Sequence, residues 1–372
     1  MEVTRQNAGE ECITMLHVFP SFAYGGQQAR LATLARGLGP AFRHLVLSLD
    51  EDISARALFD EDAPVEFNTY KMEKSRGFSL TNIFTFRKLL HTTVPDILCT
   101  YNWGSIEAAI ANRMGARAPH IHFEDGFGAD ETDGRANRKR DISRRLILSK
   151  SVVVVPSHGL KQAATVRWKL KPDQVRLIKN AVDGGRLQSG EKPAGRGVVV
   201  GSLGALRKEK NYGRLIKAFI SADRDKNARL EIIGDGPERG VLGSLAGNDE
   251  RIALPGATAS PGDAYARFDI FALSSNTEQA PISLMEAMAT GLPVVATNVG
   301  DIADMVSEEN LPYITPPGND AAYAEALAQM LQNPSARAVI GAANRRKAKD
   351  AFSLERMVDA HRTLYLESAG RI

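Results

Sequence analysis

Short apolar runs recur along the chain, separated by longer segments whose apolar residues fall three and four positions apart. In the first half, the runs at 13–19, 45–49, 97–100, 120–123 and 152–155 predict buried strands. The intervening spacing predicts helices over 27–38, 80–90 and 105–113. Strand and helix in alternation predict a mostly parallel sheet, because parallel neighbours need a crossover connection. A Gly-rich stretch over 184–196 that contains Pro193 breaks the pattern and reads as a linker. The rhythm then resumes with a strand at 198–200, a helix over 212–221 and strands at 230–233 and 269–273. From 319 onward the pattern is helical.

A chain of 372 residues exceeds what one core usually holds. The expected class is therefore α/β, with two doubly wound Rossmann-like domains facing across a cleft. The expected boundaries are 1–183 for the first domain, 184–196 for the linker and 197–350 for the second. A last segment, 351–372, is expected to carry a helix over 354–367 that returns to the first domain.

Within the second domain, Glu278 and Glu286 stand eight residues apart on either side of a predicted helix start. Residues 269–273 read as a strand, Pro281 suits the first helical position, Gly291 suits the helix end, and 294–297 reads as the next strand. The polar loop thus lies at the carboxyl end of a strand, where open α/β sheets bind ligands. The free N–H groups near Ile282 and Ser283 favour an anion. Two carboxylates flanking an anion site suit a ligand that also offers hydroxyl pairs, such as a sugar nucleotide. The plainer reading is one solvated glutamate and one helix cap.

Composition narrows the classes. The chain is 43% hydrophobic and 24% charged with 32 Gly, as in a globular protein, and its net charge of +3 is too small to imply nucleic acid. It has no run of 18 apolar residues and a polar start, so cytoplasmic residence is expected. Cys12 and Cys99 lie in apolar runs and are expected to be reduced core residues; without CxxC or HExxH, a tightly held zinc is not expected. Positive charge is concentrated at Arg135, Arg138, Lys139, Arg140, Arg144 and Arg145, just before Leu146, Ile147 and Leu148. That segment reads either as a solvated helix face or as one that lies on an anionic membrane surface.

Each domain opens with a strand followed by glycines. Gly25 and Gly26 precede a helix and would let backbone amides approach a diphosphate or sugar. In the second domain, Arg207 and Lys210 follow a strand and precede a helix, a placement suited to neutralising a departing diphosphate. Next, Gly234, Gly236 and Pro237 form a tight turn into a helix expected to begin at Pro237, with room for a base beside the glycines. No GxGxxG follows the first strand, which disfavours hydride transfer.

In order, Gly25-Gly26 before an Ala/Leu-rich helix, Asn180-Ala181-Val182-Asp183, Gly234-Asp235-Gly236-Pro237-Glu238, and Glu278 to Glu286 with its Glu-Ala-Met-Ala-x-Gly-x-Pro-Val-Val run resemble glycosyltransferase family 4. The resemblance covers nearly the whole chain. It implies the two-domain GT-B fold and retaining transfer from a nucleotide-diphosphate sugar to an acceptor, usually without a metal. A UDP- or GDP-linked donor and a lipid-linked or polysaccharide acceptor are expected, and the basic segment from Arg135 to Arg145 motivates a peripheral place at the inner face of the cell membrane. By position, Glu278 would hold donor-sugar hydroxyls, Glu286 the ribose, and Arg207 and Lys210 the diphosphate, helped by the amides of Ile282 and Ser283.

Three positions depart from the family pattern. Gln279 stands where a glycine is common, and Ala205 where the family's arginine is common. Where relatives have a histidine after the strand at 120–123, the best match is Asp125, so Asp125 or Glu124 would contact the sugar. His122 is expected to be buried and structural. Asn102 and Trp103 would shape an acceptor pocket, with core packing the other reading of Trp103. Two further functional readings stay open: an epimerase or phosphorylase on the same scaffold, and a sugar-nucleotide-binding protein without turnover.

Overall fold

The structure is a computed structural model that describes residues 12–73, 78–126, 138–184, 187, 197–258 and 260–372. It divides into two units, Met1–Lys179 with Glu355–Ile372, and Asn180–Leu354. In the first unit, β1 (Ile13–Phe19), β2 (Phe42–Ser48), β3 (Val65–Thr69), β4 (Ile97–Tyr101), β5 (His120–Phe123), β6 (Val152–Val155) and β7 (Val175–Leu177) form one parallel sheet in the order β3-β2-β1-β4-β5-β6-β7. Strand order reverses between β1 and β4, so the chain leaves both strands on either side of a crevice at their carboxyl ends.

Helices cover both faces of this sheet, which is why β1 and β4 are almost wholly buried. On one face Leu16, Val18 and Leu98 pack with Ile83, Phe86 and Leu90 of the helix Leu80–Thr93 and with Ala108 and Ala111 of the helix Ile106–Met114. On the other, the last helix, Leu354–Ser368, lays His361 against the Phe123 ring, with centroids 6.0 Å apart, and Tyr365 near Phe42. Gly37 lets this helix approach: a Cβ there would come within 2.6 Å of Val358. His17 Nδ1 meets the Tyr101 hydroxyl at 2.8 Å and His17 Nε2 meets His44 Nδ1 at 3.0 Å, so a buried polar chain crosses β1, β2 and β4.

The second unit contains β8 (Val199–Leu203), β9 (Arg229–Ile233), β10 (Ile252–Gly256), β11 (Ile270–Leu273), β12 (Val294–Thr297) and β13 (Ile314–Thr315), parallel and ordered β10-β9-β8-β11-β12-β13. Its reversal falls between β8 and β11. Phe268, Phe271, Met285 and Phe352 build the core on one face of the sheet, and Ile216, Phe219, Ile232 and Leu327 build that on the other.

Several details differ from expectation. Strands β3, β7, β10 and β13 carry no strong apolar run: they are short or at edges, and β10 contains Pro255, which an edge tolerates. Asn180–Asp183 packs with the second unit, where Val182 N–H donates to the Phe352 carbonyl at 3.3 Å. Of the segment 184–196, only Gly184 and Leu187 are described, and Leu187 is buried in the second core. Cys99 is buried as expected, but Cys12 is exposed, because it precedes β1. Among the described residues no helix is long and apolar enough to cross a membrane.

Candidate active site

The loops that follow β8 and β11 flank the reversal point of the second sheet and are stitched to each other. Asn276 N–H donates to the Glu209 carbonyl at 2.8 Å, Ser274 Oγ to the Lys210 carbonyl at 3.0 Å, and Asn211 Nδ2 to Asn276 Oδ1 at 3.0 Å. Arg214, from the helix Tyr212–Ala222, donates to the Ser274 carbonyl at 2.8 Å and pairs with Asp320. This rigid pair of loops brings together Lys210 and Glu278, 68 positions apart: Lys210 Nζ lies 2.5 Å from Glu278 Oε1, and Ser275 Oγ donates to the same oxygen at 2.7 Å. Both charged side chains are only partly exposed, so their attraction is screened less than that of a surface pair.

Gly300 lies beneath the Glu278 loop and was not singled out from sequence. Its φ is +60°, and a Cβ there would sit 2.4 Å from the Glu278 carbonyl. Asp301 N–H also donates to the Gln279 carbonyl at 3.0 Å, which fixes the loop from below. Arg207 reaches solvent, and among the described residues no ion pair ties it to Glu278.

The helix Ile282–Ala289 begins after Pro281, one residue later than expected, and no side chain caps it, so the Ile282 and Ser283 amides stand at an open N-terminus. Glu286 lies one turn in. Its Oε2 accepts from the Tyr265 hydroxyl at 2.7 Å, and burial pushes its pKa up to about 7, partly offset by that hydrogen bond. Tyr265, on the helix Pro261–Arg267, is a second residue that sequence reading missed.

Gly234 and Gly236 serve first to seat one loop on another. Their φ values are +154° and +153°, and Cβ atoms would meet the Gly204 carbonyl at 1.9 Å and the Leu206 carbonyl at 2.7 Å. Pro237 does not open the helix as expected. The helix Arg239–Ala246 starts two residues later, because Gly236 to Glu238 complete a turn held by Glu238 N–H on the Leu206 carbonyl.

In the first unit, Gly25 and Gly26 are exposed at the start of the helix Gly26–Leu38. Asp125 sits at the carboxyl end of β5 with both oxygens engaged. Arg30 grips it in a fork, with Nη2 2.8 Å from Oδ2, and Gln27 Nε2 donates to Oδ2 at 2.8 Å. Gln27 and Arg30 are one helical turn apart, which puts both on the face that meets the strand ends; that spacing was the available signal. Asn102 adopts φ +51°, a strained value for a non-glycine residue, and its Oδ1 accepts from the Asp125 amide at 2.9 Å. These contacts fix the position of the Asp125 carboxylate.

Glu124 does not face this site. It turns into the core, 1% exposed, where Arg144 Nε donates to it at 3.1 Å and His122 Nε2 lies 3.6 Å away. Arg144 is fully buried, with its guanidinium 4.6 Å from the Trp168 ring centroid and 5.4 Å from that of Trp103. Neither Glu124 as an acceptor contact nor Arg144 as part of a surface stripe is therefore retained. Residues flanking a strand end alternate sides, and Asp125 takes the open one. Arg135 lies outside the described residues. Arg144→Met should destabilise the first unit by about 3 kcal/mol or more, since it leaves Glu124 buried without its cation. Adding Glu124→Leu should recover most of the loss in a thermal melt; equal melts for the two variants would refute the pairing.

Residues 188–347 match the family described as Glycosyl transferases group 1, and residues 24–186 match Glycosyltransferase Family 4. The chain belongs to glycosyltransferase family 4. Similar curated proteins include N-acetyl-alpha-D-glucosaminyl L-malate synthase of Bacillus anthracis, 27% identical over 43% of this chain and 43% of that protein. Another is sulfoquinovosyl transferase SQD2 of Arabidopsis thaliana, 28% identical over 56% of this chain and 43% of its own length. The alignments thus span under half of these two relatives. Among solved structures, Anabaena HepE in complex with UDP and glucose superposes with a TM-score of 0.80 at 18% identity, over 95% of this chain and 100% of that one. A glycosyltransferase from Rickettsia africae gives 0.77 at 16% identity, over 96% and 98%. The fold of this family 4 chain is accordingly GT-B, with two parallel Rossmann-like sheets.

Proposed function

We propose that this family 4 protein is a retaining glycosyltransferase that moves a sugar from a UDP- or GDP-linked donor to a hydroxyl of a lipid-linked or polysaccharide acceptor. The observation that carries the reading is the grouping of Lys210, Glu278, Glu286 and an open helix N-terminus around one sheet reversal. Glu286 accepts two ribose hydroxyls, the Ile282 and Ser283 amides meet the diphosphate, and Glu278 holds hydroxyls of the sugar. Lys210 and Arg207 neutralise the charge that develops as the glycosyl–phosphate bond breaks, without a metal. The acceptor hydroxyl attacks from the face the diphosphate leaves, and its proton passes to the leaving phosphate. The second carboxylate of a glycosidase is then not needed. Asp125, fixed by Arg30, receives a sugar or acceptor hydroxyl.

The engagement of Asp125 by Arg30 favours one second reading, a sugar-nucleotide binder with little turnover. Incubation with nucleotide sugars and candidate acceptors separates the two. Acceptor-dependent nucleotide release supports transfer, acceptor-independent conversion supports an epimerase or phosphorylase, and binding alone supports the second reading.

Titration with the donor at several pH values tests Glu286. Only its ionised form accepts two hydroxyls, and its pKa is about 7. Donor affinity should therefore rise about ten-fold from about pH 6 to about pH 8. Glu286→Gln should bind weakly at both values. The intact sugar nucleotide is the probe, because the terminal phosphate of a free diphosphate titrates in the same range. A pH-independent affinity in the unsubstituted protein would remove Glu286 from the ribose.

A further inference from the structure

We propose that the surface formed by the helices Leu80–Thr93, Ile106–Met114 and Arg138–Ile147 docks the protein on an anionic lipid bilayer. The three helices are continuous with one another: Asn82 Nδ2 donates to Glu107 Oε2 at 2.9 Å, and Arg113 Nη1 donates to the Ile147 carbonyl at 2.9 Å. At their upper edge the Phe78 ring lies 6.2 Å from that of Trp103, over which Arg140 is placed at 5.3 Å.

The exposed charged side chains of the three helices are all cationic. Residues 78–94, 103–118 and 138–151 hold nine Lys and Arg besides the buried Arg144, and only two acids, Glu107 and Asp141. Both acids are buried, and each makes hydrogen bonds inside the unit. Arg87, Lys88, Arg138, Lys139, Arg145 and Lys150 are exposed, with no exposed carboxylate among the described residues of these segments. Such an arrangement is attracted to anionic headgroups at about five-fold in partition per cation.

Charge alone would suit any polyanion. The apolar side chains between the cations favour a bilayer. Leu80 and Phe84, at 69% and 56% exposure, stand one turn apart on the first helix, and Ile142 and Leu146, at 58% and 63%, one turn apart on the third. Each pair projects beside cations of its own helix, the pattern of a helix whose apolar residues enter the boundary between headgroups and acyl chains. A nucleic acid or acidic polysaccharide gives exposed Ile and Leu nothing to bury against, and a second copy of the same surface would meet it with like charge.

The location has a consequence for the acceptor. Trp103 directly follows Asn102, whose side chain holds the Asp125 amide, so the apolar edge of the surface begins beside that site. A lipid-linked acceptor anchored in the bilayer would reach Asp125 from this edge. That last point rests on the proposed transfer reaction; docking on the bilayer does not.

The test is co-sedimentation of the full chain with vesicles of phosphatidylcholine alone, or mixed with about one-third phosphatidylglycerol. Binding should require phosphatidylglycerol and weaken at high salt. Arg138→Gln/Lys139→Gln/Arg145→Gln should lower partitioning on the order of a hundred-fold. Ile142→Ser/Leu146→Ser should lower it on the order of ten-fold or more. Arg345→Gln/Arg346→Gln/Lys349→Gln, on an exposed cationic surface of the second unit, should bind as the parent does.

All substituted side chains are exposed, so melting temperatures and the donor-induced thermal shift should not change. Intact donor binding in a chain that ignores anionic vesicles would sink the docking proposal and leave the transferase reading standing. Equal losses from the control triple, full binding by the Ile142/Leu146 variant, or a dimer that this variant makes monomeric would each overturn it as well.

Discussion

Lys210→Met should lower kcat by about 10³-fold while weakening donor binding by no more than about ten-fold. The difference arises because the lysine acts on charge that is small in the bound donor and large as the diphosphate departs. Its setting makes the effect large: Lys210 is only partly exposed and lies 2.5 Å from Glu278, so solvent screens its charge less than that of a surface lysine. Glu278→Gln should also lower turnover more than nucleotide affinity, since the sugar, not the nucleotide, is its partner. The two losses should not add, because each substitution also strands the other member of the ion pair. Acceptor-dependent nucleotide release gives kcat, and calorimetry with the intact donor gives affinity. A Lys210→Met enzyme within ten-fold of the parent rate would remove this residue from the reaction.

Acidification to about pH 5 should unfold the first unit before the second. All seven histidines belong to the first unit. Burial lowers His44 and His361 to about 4, and it lowers His17 well below the ordinary value, helped by its neighbour His44. These groups stay neutral in the folded unit while the unfolded chain takes up protons below about 6.5, so stability falls as pH drops from there toward 4. At pH 5 each such group removes about 2 kcal/mol.

The second unit has no histidine, and Glu286 acts in the opposite sense. Its raised pKa adds stability at low pH that is lost as pH rises through about 7. Both tryptophans, Trp103 and Trp168, lie in the first unit, so tryptophan fluorescence follows that unit alone while far-UV circular dichroism follows both. The fluorescence transition should come at higher pH than the last dichroism change. Coincident transitions would show that the histidines do not set acid stability.

Legibility in the sequence varied with how local the cause was. The buried central strands β1, β4, β6, β11 and β12 announce themselves as apolar runs, whereas the edge strands β3 and β10, with less to bury, do not. The helix from Ile282 was readable within one residue from Pro281 and Gly291, because its ends obey local backbone rules. Glu124 and Asp125 are adjacent and chemically alike, and only the packing of Arg144 against Trp168 and of Arg30 against Phe123 separates a buried ion pair from an open site. Arg144 was likewise indistinguishable by sequence from its exposed neighbour Arg145.

By itself the sequence determined the class of fold, two successive strand–helix series, and the placement of Glu278 and Glu286 around a helix start. These depend on periodicity and on termini, which are properties of neighbouring residues. Only the tertiary structure decided the partners: Lys210 with Glu278 across two loops, Tyr265 with Glu286, and Arg30 with Asp125 across 95 positions. Partner choice follows from which strand ends the sheet order brings side by side, and no local pattern in the chain encodes that order.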